Sequence, residues 1–296
     1  MADEDQVVTR GVVVGVDGSE PNIPAVRWAA HAAAAHRLPL TLMHARPDVA
    51  GVLREVLDDS PILTAAAEVA RERHPDLTVV GVESPDPPVQ SLLKASETAD
   101  FVVLGSRGLE GFMGLLVGST TMHVAPYAQC PVVVVHPEYA ETNGGPHAGD
   151  VVLGYDGSSA ANRASAFAFR HAQAVGCSVV VVSVESRRGE PEVHDMSPDA
   201  AMPGSDTGAF YSPLLVTALS FESVPTRFVG GSGRPSAVLT QESIGCELLV
   251  VGTRGLGGFA ELVMGSVSQK VLAYAKCPVA ILHSRIPAKA AAGIET

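Results

Sequence analysis

Residues 101–119 read FVVLGSRGLEGFMGLLVGS: an apolar run, a turn carrying Gly105 and Gly108, nine further residues, and the pair Gly118-Ser119. The same device returns at 248–266, LLVVGTRGLGGFAELVMGS, with Gly252, Gly255, nine residues and Gly265-Ser266. Identical internal spacing in two places makes the chain a tandem repeat. Residues without a Cβ reach positive φ and let a ligand approach bare backbone amides, and successive amides form a nest for an anion. Each Gly-Ser pair precedes helical sequence, so its amides and hydroxyl fall at a helix N-terminus, where phosphate is favoured. Two donor clusters held by one loop suit a polyphosphate. One such loop alone reads equally well as a tight turn; the second copy favours the ligand.

Working outward, residues 11–16, GVVVGV, form a β-branched apolar run of the kind buried on both faces of a parallel sheet. It ends in Asp17-Gly18-Ser19, after which Ile23, Val26, Ala30 and Ala34 repeat at helical spacing as far as His36. Trp28 lies on that helix and reads as packing. Strands follow at 40–45, 77–82, 101–105 and 132–136, with helices expected at 62–74 and 89–98. This alternation predicts parallel strands joined by right-handed crossovers. Residues 137–149, rich in Gly and polar side chains, read as a linker, which divides the chain into domains 1–140 and 141–296. The second half restarts with a strand at 151–155, Asp156-Gly157-Ser158 and a helix at 160–175. The offset is 156 − 17 = 139 at the aspartates and 252 − 105 = 147 at the glycine loops, so the second half has gained residues between them. The gain falls around 187–211, a Pro/Gly/Asp-rich stretch expected to be a mobile loop in place of most of a helix.

In a doubly wound sheet ligands bind beyond the carboxyl ends of the strands, where strand order reverses. With the order 3-2-1-4-5 the reversal lies between the first and fourth strands, so Asp17 and Gly105 line one crevice. Asp17 and Asp156 read in two ways: as helix caps shared with Ser19 and Ser158, or as carboxylates facing sugar hydroxyls, adenine edges or magnesium. Their pairing with the glycine loop favours the second.

Bulk properties exclude other classes. The 296 residues are 46% hydrophobic and 18% charged, with a net charge of −12, and no basic run exceeds Arg187-Arg188. Nucleic acid is therefore not an expected partner. No apolar run approaches a membrane span and the N-terminus is acidic, so neither a membrane nor a secretory signal is expected and a cytoplasmic location is. The four cysteines, with Cys130 and Cys277 in matching places before Pro-Val strands, show no metal or redox spacing and read as small buried apolar residues. His44, His136 and His283 sit at strand ends, where hydrogen bonding is expected in place of metal or general-base work. Asp206-Thr207-Gly208 matches an aspartic-protease signature only superficially, since the second carboxylate turn is missing.

Taken together, Gly-x-x-Gly, nine residues, Gly-Ser, the Val-x-x-Asp-Gly-Ser start and the Cys-Pro-Val final strand resemble the universal stress protein family in its tandem-domain, ATP-binding form. The resemblance covers residues 9–136 and 149–284. It implies an α/β fold of two doubly wound parallel five-stranded sheets packed as a pseudo-dimer. It also implies that Asp17 contacts adenine or ribose, that the backbone at Ala45 flanks adenine, and that Gly105, Gly108, Gly118, Ser119 and Thr120 hold phosphates. The matching residues are Asp156, Val184, Gly252, Gly255, Gly265, Ser266 and Val267. Arg107 and Arg254, inside the loops, either neutralise phosphate or stand in solvent. Glu110 stands where glycine is usual, Thr120 where valine is usual and Glu261 where a small residue is usual, so unequal affinities in the two halves are expected. The function implied is a non-enzymatic, ATP-binding regulator of stress or growth state, with magnesium as a companion ion and a homodimer as one assembly. The alternatives are a slow magnesium-dependent ATPase and a scaffold that recruits a protein partner.

The last strands, 132–136 and 279–283, read as apolar edges, which aggregate unless paired or covered. The halves are therefore expected to pair through them. Hydrogen exchange on the intact chain should show both segments strongly protected; rapid exchange of either would contradict the pairing.

Overall fold

The computed structural model describes residues 10–47, 53–107, 117–139, 144–187, 190–196, 206–255 and 264–283, with side chains undescribed at 206–209. Two units divide the chain, residues 1–137 and 138–296.

In the first unit β1 (Val12–Gly15), α1 (Ile23–His36), β2 (Leu40–Ala45), β3 (Arg54–Glu55), α2 (Pro61–Arg71), β4 (Val79–Ser84), α3 (Pro88–Ala95), β5 (Phe101–Gly105), α4 (Ser119–Val124) and β6 (Val132–Val135) follow in turn. Five strands are parallel in the order β4-β2-β1-β5-β6. The apolar runs explain this, because Val12, Val13 and Val14 are wholly buried, as are Val102 and Val103 beside them. A strand covered by helices on both faces must be apolar at every position, not at alternate ones. Trp28 packs edge-on against Phe101 with ring centroids 6.3 Å apart.

The second unit repeats the plan with β7 (Val151–Gly154), α5 (Ser159–Val175), β8 (Val179–Ser186), β9 (Glu192–Asp195), α6 (Asp206–Leu219), β10 (Thr226–Gly233), α7 (Pro235–Glu242), β11 (Leu248–Gly252), α8 (Ser266–Tyr274) and β12 (Val279–Leu282). Its parallel order is β10-β8-β7-β11-β12.

Two features depart from the sequence expectation. Each sheet carries a short antiparallel edge strand besides its five parallel ones: β3 on β4 and β9 on β10. Both are exposed and polar, so tertiary pairing and not hydrophobic pattern creates them. Glu83 on β4 is buried beside Arg46 and Arg54, at 3.5 and 3.6 Å, which gives β3 a charged anchor. The stretch 187–211 is also not simply a loop. Residues 192–195 are β9, and Asp206, expected in the loop, opens the 14-residue α6. Helix survives there despite Pro213 because Tyr211 and Leu214 are buried in the second unit's core, and packing of one face outweighs weak propensity. Residues 144–149, part of the expected linker, are tied to the end of α7. Gly149 donates its amide to Gly245, and buried His147 lies 3.0 Å from the buried Glu242 carboxylate through Nε2.

Phe169 on α5 is fully buried and stacks on Phe221 at 5.9 Å. Phe169→Ala should cost roughly 3–5 kcal/mol in denaturant unfolding of the second unit; a loss below about 1 kcal/mol would show that this core is assigned wrongly.

Candidate functional site

Each sheet ends in three loops at the carboxyl end of its central strands. After β1 and β7 comes Asp-Gly-Ser, in which Gly18 and Gly157 hold φ of 77° and 76°, a conformation that glycine adopts without a Cβ penalty. The glycine folds the aspartate back onto the turn. The Ser19 amide donates to Asp17 Oδ1 at 2.9 Å, and the Ser158 amide to Asp156 Oδ1 at 3.0 Å. Ile62 of α2 packs over Gly18, and Phe210 of α6 over Gly157.

Neither aspartate is the helix cap. In the second unit Ser158 performs that task alone, accepting the Ala161 amide at 3.1 Å and donating to the Arg254 carbonyl at 3.2 Å. In the first unit the Ser19 hydroxyl instead donates to Asp17 Oδ1 at 2.7 Å, and a 3-10 turn, Glu20–Asn22, precedes α1. Asn22 takes up the connection across the crevice. Its amide donates to the Gly15 carbonyl at 3.1 Å, and a Cβ on Gly105 would stand 3.2 Å from Asn22 Nδ2.

The glycine loops are closed the same way twice. The Gly118 amide donates to the Ser106 carbonyl at 2.6 Å, and the Gly265 amide to the Thr253 carbonyl at 2.7 Å. Thr121 Oγ1 reaches the Gly105 carbonyl and Ser268 Oγ the Thr253 carbonyl, each at 3.0 Å. Thus the amides of Gly118 and Gly265 are taken up in closing the loop. The first-turn amides beyond them belong to Ser119, Thr120, Ser266 and Val267. Such amides lack intrahelical acceptors, and the N-cap positions are Gly118 and Gly265, which bring no side chain to accept them. Ser119 and Ser266 are exposed, and Thr120 and Val267 half-buried, in matching fashion.

In the second unit the aspartate and the glycine loop meet: a Cβ added to Gly255 would run into Asp156 Oδ2, and one on Gly252 would stand 2.7 Å from the Ala160 Cβ. Arg254 is held by its carbonyl to Ser158. In the first unit Arg107 follows β5, its carbonyl 3.0 Å from the site of a Gly105 Cβ. Gly108, Glu110 and Glu261 lie outside the described residues. Ala45, half-buried, ends β2 opposite Ser84, whereas Val184, also half-buried, lies two residues before the end of β8, opposite Gly231. His44, one residue earlier, bonds the Val16 carbonyl through Nδ1 at 2.8 Å, the strand-end role expected of it.

The sites differ in their walls. Tyr155 stands where the first unit has Val16, and it stacks on Tyr211 and meets Phe210 edge-on, at 5.7 and 5.4 Å. Its hydroxyl donates to Asn162 Oδ1 at 2.6 Å. Burial, with Asp156 next, pushes the phenol up to about 12, so it is a neutral donor at ordinary pH. Ser158 was expected as a cap shared with the aspartate, but Asn22, Thr121 and Ser268 were not singled out from sequence, because hydroxyl and amide side chains near glycines are common and only the fold shows what they tie together.

In each unit the glycine-capped helix start lies at the carboxyl edge of a doubly wound sheet, where helix N-termini favour anions. The model of the Universal stress protein family matches residues 9–136 and 148–283. Two universal stress proteins of Mycobacterium tuberculosis are each 32% identical, over 294 and 301 residues, covering 92% and 93% of this chain and 96% and 97% of their own length. A solved universal stress protein from Archaeoglobus fulgidus superposes with a TM-score of 0.61 at 20% identity, covering 93% of this chain and 98% of that one. The chain belongs to the universal stress protein family, as a tandem of two family domains. Among the described residues no helix is long and apolar enough to cross a membrane.

Ser158→Ala removes both the cap of α5 and its tie to the Arg254 loop. It should destabilise the second unit by about 1–2 kcal/mol in denaturant titration, while Ser158→Thr retains most of that. Equal losses for the two variants would show that the hydroxyl bonds carry no weight.

Proposed function

We propose that each half binds an adenine nucleotide, ATP in the first instance, and that the protein acts through this binding as a regulator and not as an enzyme. The observation that carries the reading is the duplicated loop closure. In both units a strand-end carbonyl takes the glycine amide and holds a helix start open, so that its next amides and a serine hydroxyl face outward together. These groups favour phosphate oxygens through partial positive charge and hydrogen bonds without moving a proton. In this reading Asp17 and Asp156, each with one carboxylate oxygen held by a serine amide, keep the other toward ribose or adenine. The backbone at Ala45, the end of β2, and at Val184, near the end of β8, flanks the base. Gly105, Gly108, Gly252 and Gly255 let the loops approach the ligand, and Arg107 and Arg254 balance phosphate charge. A magnesium ion on the phosphates would relieve repulsion from Glu110 and Glu261. The serine and threonine hydroxyls, the amides and the two committed aspartates supply binding groups, and the regulatory reading follows from that chemistry.

Membership of the universal stress protein family supports this reading, as does the 3-2-1-4-5 arrangement that sets the aspartate turn and the glycine loop beside one another. The differing walls, Tyr155 with Phe210 and Tyr211 against Val16 and Ile62, support unequal affinities.

Gly118 and Gly265 have ordinary φ of −70° and −75°, so φ itself does not strain a side chain there, and a Cβ would stand 3.4 Å from the Ser106 carbonyl oxygen and 3.2 Å from that of Thr253. Gly118→Glu and Gly265→Glu each place a carboxylate at the phosphate end. Each should weaken ATP binding at its own half on the order of a hundredfold, read by calorimetry, with a smaller change in melting of the nucleotide-free protein. Phosphate release should stay at the buffer rate in wild type. Normal affinity in the double variant would defeat the binding reading, and phosphate release that disappears in the double variant would replace the regulator with an ATPase.

A further inference from the structure

Two thiols meet at the foot of the second glycine loop. Cys246 lies in the turn entering β11, and Cys277 in the turn entering β12. These strands are parallel neighbours with Leu249 opposite Val279, and the Leu249 amide donates at 2.9 Å to the carbonyl of Pro278, the residue after Cys277. The two turns therefore enter the sheet side by side, and the register carried two residues back sets Glu247 opposite Cys277, with Cys246 next to it in the chain. Both side chains are buried, at 1% and 0% exposure, and both are free thiols.

The first unit shows that packing does not require this pair. Cys130 matches Cys277 at an offset of 147 residues, yet the residue matching Cys246 is Ala99. Cys130 has the Pro131 carbonyl 3.5 Å from its sulfur, and burial pushes its thiol up to about 12. The same fold closes over a single thiol and an alanine, so the second thiol in the second unit adds a chemical capacity.

We propose that Cys246 and Cys277 form an intramolecular disulfide when the protein meets hydrogen peroxide, closing a ring that contains β11, the glycine loop and α8. One thiolate attacks a peroxide oxygen, the O–O bond breaks, and a sulfenic acid forms with release of water. The second thiol attacks that sulfur, the S–S bond forms and a second water leaves. Two thiols lose two electrons and two protons, and one hydrogen peroxide becomes two waters. Burial raises the Cys246 thiol, with its Cys277 neighbour adding to the effect. The reaction therefore passes through local opening of the two turns and quickens with pH. The ring encloses 30 intervening residues, and a cross-link over such a span restricts the unfolded chain and stabilises the folded one. A dithiol reductant reverses it.

The test treats the full chain with hydrogen peroxide and maps peptides by mass spectrometry without reduction, beside a thermal melt. A peptide joining Cys246 to Cys277 and lighter by two hydrogens is expected, with a melting temperature raised on the order of 5 °C and restored by dithiothreitol. Cys246→Ala, which gives the second unit the residue its first-unit counterpart already has, should melt normally when reduced and show no peroxide-dependent rise; Cys277→Ala serves as a second control. Thiols that stay free, proceed to sulfinic acid or link between chains would overturn the proposal, as would a linked peptide with no rise in melting temperature.

Discussion

The hydrogen bond from a glycine amide to a strand-end carbonyl, Gly118 to Ser106 and Gly265 to Thr253, is the constraint on which the rest of each site depends. It returns the chain from β5 or β11 to the same place after the glycine-rich excursion, so that α4 and α8 start directly over the strand ends. The acceptor is itself held, because the Ser106 and Thr253 amides donate to Val135 and Leu282 in the neighbouring final strands. With the strand-end amide and carbonyl both taken up inside the fold, the next amides, at the helix start, have no acceptor within their own helix.

The second fixed point is the Asp-Gly-Ser turn. Positive φ at Gly18 and Gly157 lets the aspartate accept the amide two residues on, which holds one carboxylate oxygen in the turn. In the second unit this carboxylate and Gly255 approach so closely that a side chain at 255 has no room. Charge and bare backbone are thus brought together by sterics that only glycine satisfies. The duplicated geometry also bears unequal change: Tyr155 and its aromatic partners remodel the second wall, while Cys246 adds a thiol where Ala99 stands in the first unit.

Much of this was legible in the chain. Valine runs at 12–14, 102–103 and 132–135 cannot be amphipathic, so they announced strands buried on both faces, and the repeated Gly-x-x-Gly spacing announced both loops. What stayed hidden is non-local. The edge strands β3 and β9 are short and polar and exist because a neighbouring strand offers them hydrogen bonds. Helix α6 was concealed by Gly208 and Pro213, since local propensity cannot register that Tyr211 and Leu214 find a core. The aspartates looked as much like caps as ligands because a cap and a turn use the same residue types; Ser158 alone proved to be the cap. Cys246 and Cys277 are 31 positions apart in sequence (277 − 246), and only the β11–β12 register makes them neighbours.

The most direct measurement is native mass spectrometry of the freshly purified chain, followed by identification of the small molecules released on denaturation. The account predicts adenine nucleotide carried at up to two equivalents per chain, and uptake to two when ATP is added to stripped protein. A chain that carries none and takes up none, while melting as a folded protein, would contradict it.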